Sequence, residues 1–153
     1  MRLSRHFNLE EFTKSQAGER LGLDNTPGPV EIENLKRLCE DVLEVIRESL
    51  GPIYINSGYR GPTLNKAIGG AATSQHCKGE AADIEIPEVA NADLARWIRK
   101  NCDYDQLILE CYKKGQPTSG WVHVSYKATG NRKQALTAFM SNGKMLYKEG
   151  IDP

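Results

Sequence analysis

The feature that most constrains this 153-residue chain is the stretch from Ser57 to Ile86, SGYRGPTLNKAIGGAATSQHCKGEAADIEI. It sets His76 and Asp83 seven positions apart, and the run Trp121-Val122-His123-Val124-Ser125 supplies a further histidine 40 residues after the aspartate. Gly69-Gly70 and Gly79 allow backbone conformations closed to other residues, so the loop can fold back and aim His76 and Asp83 at one point. His, Asp and His are donors of the kind zinc accepts, and three protein ligands leave a fourth position open for water or substrate. A His beside an Asp also serves as a plain hydrogen-bonded pair, and spacing alone leaves both readings open.

Residues Ser74 to Asp83 read S-x-H-x-x-G-x-A-x-D. They follow Ser57-Gly58-Tyr59-Arg60 and precede the Trp121–Ser125 run. In this order the three motifs resemble the M15-type zinc peptidases of bacterial cell walls, the group of D-Ala-D-Ala carboxypeptidases and phage endolysins. The opening His6-Phe7-x-Leu9-x-Glu11-Phe12 resembles the start of the phage-type members, so the resemblance covers most of the chain.

The resemblance implies a zinc ion held by His76, Asp83 and His123, with a water in the fourth place whose pKa zinc lowers to about 7. It puts Arg60 where the family has an arginine that touches substrate, with a donor fork suited to a carboxylate or a scissile carbonyl. It also matches Ser74 to a position that hydrogen-bonds the substrate peptide. Gln75, Trp121 and Tyr59 are further candidates for the pocket wall.

A carboxylate must also shuttle the proton. Many members carry an acid three residues before the last histidine, where this chain has Gly120. Glu110 is the expected substitute, because it ends the strand before the His123 strand and phage-type relatives carry a Glu there. Glu80 and Glu85 are the alternatives, although Glu85 lies about 6–7 Å along its strand from Asp83.

Length and composition set the frame. A chain this long can bury a single core without staples, so one domain over 1–153 is expected. Lys plus Arg and Asp plus Glu stand at 20 each, which gives no electrostatic case for nucleic acid or an anionic membrane surface. The mean hydropathy is −0.53, and no apolar run approaches the roughly 18 residues of a membrane span. Two arginines near the N-terminus lack an apolar segment after them, so no secretory signal is expected. Cys39, Cys77, Cys102 and Cys111 form no CxxC pair and read as free thiols of a reducing compartment. Cys77 beside His76 lacks the base and tuned surroundings of a thiol nucleophile. His6 matches no ligand position and reads as a capping or surface residue.

Along the chain, residues 1–29 suggest a short helix or turn and then a loop rich in Pro and Gly. Ile32, Leu35, Leu38, Cys39, Val42, Val45 and Ile46 recur at helical steps across 30–50, between Pro29 and Gly51-Pro52. Strands are expected over 53–57, 81–86, 106–111 and 121–126, and helices over 62–68 and 91–101. A hairpin turning at Asn142-Gly143 closes the chain, with strands over 136–140 and 144–147. The expected fold is α+β: a small antiparallel sheet with one long helix packed on one face, like hedgehog domains and D-Ala-D-Ala peptidases.

The functional expectation is a zinc metallopeptidase that cleaves the stem peptides of peptidoglycan, as a D,D-carboxypeptidase or an endopeptidase. It would be made in the cytoplasm and act at the cell wall, as a phage or prophage endolysin or a virion-associated protein. The alternative is a non-catalytic zinc-containing binding module of the same fold. The sequence names neither the bond cleaved nor the oligomeric state.

Overall fold

The computed structural model describes residues 1–153. Six strands form one sheet: β1 (Tyr54–Ser57), β2 (Ala81–Glu85), β3 (Gln106–Glu110), β4 (Trp121–Ser125), β5 (Gln134–Ser141) and β6 (Lys144–Glu149). Their spatial order is β1-β2-β4-β3-β5-β6. Every neighbouring pair is antiparallel except β3 and β5, which run parallel. The sheet is therefore larger than expected and mixed. After β4 the chain crosses beyond β3 and lays β5 along its far side, a long-range choice that no local alternation of residues encodes.

Six α-helices accompany the sheet. Two short ones, α1 (Glu10–Thr13) and α2 (Gln16–Leu21), precede α3 (Pro29–Leu38), and α4 (Glu44–Leu50), α5 (Pro62–Ala67) and α6 (Asn91–Asn101) follow. The expected long helix is α3 and α4 joined through a π turn at Cys39–Leu43. Pro29 opens it at a position where the missing N–H costs nothing, and Gly51 ends it with φ 95°. The widened turn keeps Cys39, Val42 and Leu43 all inside, whereas Val45, counted in the apolar stripe, faces solvent.

The sheet's two faces differ. Ile55, Ala82, Ile84, Leu107, Leu109, Val122 and Val124 point to one side and join Leu35, Leu38, Val42 and Ile46, and Leu94 and Ile98 of α6, in a core of 27 buried residues. Two helical segments thus cover this face rather than one. Each fully buried Leu or Ile contributes about 1.5–3 kcal/mol relative to exposure. Alternation along the same strands sends Asp83, Glu110 and His123 to the other face.

His6 caps the arrangement from the N-terminus. Its Nδ1 lies 2.6 Å from Glu44 Oε1, and its backbone N–H donates to Oε2 at 2.7 Å. It tethers the first residues to α4 and takes no part in the open face.

Candidate metal centre

Asp83 of β2 is the direct cross-strand partner of His123 in β4, and His123 in turn faces Ile108 of β3. His76 arrives from outside the sheet, on a 3-10 turn over Gln75–Lys78. Ser74 starts that turn by accepting from the His76 N–H at 3.2 Å. Gly79 ends it with φ 72°, and a Cβ there would stand 2.4 Å from the Glu31 carbonyl. Only glycine lets the loop press against α3 and turn back into β2.

The donor atoms of His76, Asp83 and His123 lie within 4.8 Å of one another. Asp83 Oδ1 faces His123 Nδ1 at 3.1 Å and His76 Nε2 at 3.4 Å. Burial alone would raise the Asp83 pKa, but the neighbouring His123 and His76 imidazoles outweigh it whenever they present a proton, and hold the carboxyl far below its usual range.

The protonation of His76 tests whether a metal fits. Its Nδ1 lies 2.7 Å from the Gly58 carbonyl, which can only accept, so Nδ1 carries the hydrogen. Neutral His76 therefore turns a bare Nε2 lone pair toward the carboxylate from a residue only 3% exposed. Two acceptors facing each other at this depth need a proton or a cation between them. The orienting carbonyl behind the ring is the arrangement metal-binding histidines use. The donor set and the tautomer both fit zinc.

The three residues sit in a cleft of about 460 Å³ that is also lined by Arg60, Thr73, Ser74, Gln75, Gln106, Ile108, Glu110, Trp121, Arg132 and Tyr147. Every residue singled out from the sequence as a leading site candidate lies on this cleft. Tyr59 does not: it is 6% exposed and packs in the core. Glu80 and Glu85 are absent from the lining as well. Glu80 accepts from Gln75 Nε2 at 3.3 Å, and Glu85 pairs with Tyr54 at the β1 edge. Cys77 is half-buried with its thiol pKa pushed up by burial, the opposite of an activated thiolate.

Glu110 stands opposite Trp121 in the β3–β4 ladder, and the indole N–H donates to Glu110 Oε2 at 2.9 Å. Burial raises the Glu110 pKa, and the Asp83 charge raises it further against His123, the Trp121 bond and His76. Gly120 has φ 65°, and a Cβ on it would fall 2.0 Å from the Glu110 carbonyl oxygen. The missing acid at position 120 thus has a steric cause: the chain passes too close to β3 for any side chain there. Arg60 lies across the cleft with its Nη2 donating to Ser74 Oγ at 3.4 Å, while its buried Nε–H has no acceptor.

Thr73, Gln106, Ile108, Arg132 and Tyr147 were not foreseen as cleft residues. Thr73 neighbours a named residue and could have been reached by proximity. Arg132 and Tyr147 could not, since they enter only because β5 and β6 add beyond β3.

Comparisons by sequence identify the family. The profile of the Peptidase M15 family matches residues 5–125, and the chain belongs to that family. Over 44 residues it is 43% identical to the zinc D-Ala-D-Ala carboxypeptidase of Streptomyces albus G. That segment makes up 28% of this chain and 17% of the carboxypeptidase.

Proposed function

We propose that the protein is a zinc-dependent peptidase that hydrolyses peptidoglycan stem peptides at the bacterial cell wall. The observation that carries this reading is the bare His76 Nε2 facing Asp83 Oδ1 beside His123, inside a cleft that also holds a carboxylate and an arginine. The carboxypeptidase of Streptomyces albus G lends its substrate class to the proposal by similarity of the matched segment.

In this mechanism His76, Asp83 and His123 would hold the ion, which when bound would supply Lewis acidity at the scissile carbonyl and lower the pKa of a water. Glu110 takes the proton from the attacking water and returns it to the leaving amine. Its raised pKa suits both halves of that exchange. Trp121 holds Oε2 and thereby fixes which carboxylate oxygen is free to act. Arg60, on the cleft wall, binds a substrate carboxylate or carbonyl through the guanidinium, and Ser74 braces it. Gln75 lines the same wall and contacts the peptide.

The non-catalytic alternative drew its weight from Gly120. Glu110 on the cleft supplies an acid from the neighbouring strand, which favours hydrolysis. The deciding experiment incubates purified peptidoglycan with the protein, with chelator, and with chelator followed by zinc, and reads the fragments by mass spectrometry. Cleavage lost with chelator and restored by zinc is the expected result, and the fragment masses name the bond. No cleavage by protein that retains zinc would overturn the peptidase reading.

A further inference from the structure

One residue of the cleft wall has no part in the mechanism above, and its construction is unusual. Arg132 lies in the crossing between β4 and β5. Its Nε donates to Asp105 Oδ1 at 3.1 Å and to Oδ2 at 3.3 Å, and its Nη2 donates to Oδ2 at 2.8 Å. The backbone N–H of Arg132 adds a fourth bond, to Oδ1 at 2.9 Å. The Asp105 side chain is 1% exposed, whereas that of Arg132 is 52% exposed and lines the cleft. Nη1 donates to no protein atom, so a buried carboxylate orients a guanidinium whose outer corner remains free.

A surface arginine held this way has already lost its rotamer freedom, so binding an anion to the free corner orders little more. Charge supports the same use. Asp105 lies near two cations, Arg132 and Lys127, the latter at 3.8 Å, and one carboxylate cannot neutralise both.

Position supplies the rest. Asp105 immediately precedes β3, and Glu110 ends that strand. Gln106, Ile108 and Glu110 mark the cleft floor between them. Four residues of strand span roughly 13 Å, which an extended peptide covers in about four residues. Arg132 therefore stands at one end of the cleft, with the proposed proton-transfer group at the other.

We propose that Arg132 is a specificity-determining residue that recognises a free carboxylate on the substrate, two or more residues from the cleaved bond. In a stem peptide, the α-carboxylate of the γ-linked D-glutamate is such a group. The inference rests on the cleft being a stem-peptide site, as proposed above, but concerns binding rather than hydrolysis.

The test uses two synthetic pentapeptide stems that differ only in this group, one with free D-glutamate and one with its amide, D-isoglutamine. Binding of each to the zinc-loaded Glu110→Gln protein is measured by calorimetry, and hydrolysis by the otherwise unaltered protein is followed separately. The acid is expected to bind about tenfold more tightly than the amide, the worth of one charge-assisted hydrogen bond. Adding Arg132→Gln should erase that preference while leaving affinity for the amide unchanged. Arg132→Lys keeps the charge without the fork and should restore only part of it. Equal binding of the two peptides, or a preference that survives Arg132→Gln, overturns the proposal. A preference for the acid, with no cleavage of peptidoglycan by the zinc-loaded protein, would sustain it and overturn the peptidase reading instead.

Discussion

Two aspartates sit below the surface of this protein, and they are held in opposite ways. Asp105 is saturated: both oxygens accept from Arg132, and its pKa falls to about 2, since the Arg132 bonds outweigh the upward push of burial. Asp83 meets its two partners through a single oxygen, and both are imidazoles, one of which brings a lone pair unless it is charged. The first arrangement is complete and fixes geometry. The second is complete only with a cation. Both side chains are largely shielded from water, so the protonation options of the partners separate a structural carboxylate from one left open to a cation.

The largest effect should come from breaking the open cluster. His123→Ala should abolish bound zinc, read by elemental analysis, and lower peptide hydrolysis by at least about a thousandfold. The far-ultraviolet circular dichroism should not change, because the imidazole projects into the cleft. Glu110→Gln sharpens the contrast from the side: turnover should fall by about 10²–10⁴ with zinc content intact.

Breaking the saturated pair should instead show as stability. The Asp105 pKa of about 2 against about 4 unfolded is worth roughly 2–3 kcal/mol at neutral pH. Because the folded value is the lower one, this stability is fully present above pH 4 or so and is lost as pH falls through about 2. Asp105→Asn should lower the urea midpoint at pH 7 and flatten its decline between about pH 4 and 2, with zinc retained. Smallest of all, Trp121→Phe removes one hydrogen bond to Glu110 and should lower kcat by about three- to tenfold with KM unchanged.

Much of the open cluster is legible in the sequence because its parts are local. His76, Asp83 and His123 lie in short runs with telling neighbours, and the period-two alternation of their strands places Asp83 and His123 on faces opposite the apolar Ile84, Val122 and Val124. Helix α6 and the ends of the α3–α4 segment are equally plain, bounded by Pro29 and Gly51. The π turn is not, since Cys39 to Leu43 carries an ordinary helical pattern. The parallel pairing of β3 with β5 is not either: Gln134–Ser141 reads as one arm of a hairpin with β6, and nothing in it names the neighbour on its other side. Arg132 and Tyr147 are lost with that pairing. Gly120 reads as a gap in a motif, while its reason lies in the distance to the Glu110 carbonyl, which only three dimensions contain.

The crossing to β5 also gives the site a history within each molecule. His76, Asp83, Glu110 and His123 all precede Ser125 in the chain, while Arg132 and Tyr147 follow it and are synthesised up to about four seconds later at 5–20 residues per second. Parallel pairing must then bridge the chain back to β3, a slow step by comparison with a hairpin. The charged centre thus belongs to strands β2 to β4 and the loop before them, whereas the Arg132 and Tyr147 wall depends on the later crossing. Without β5 in place, β3 would be an edge strand and the cleft would stand open on that side.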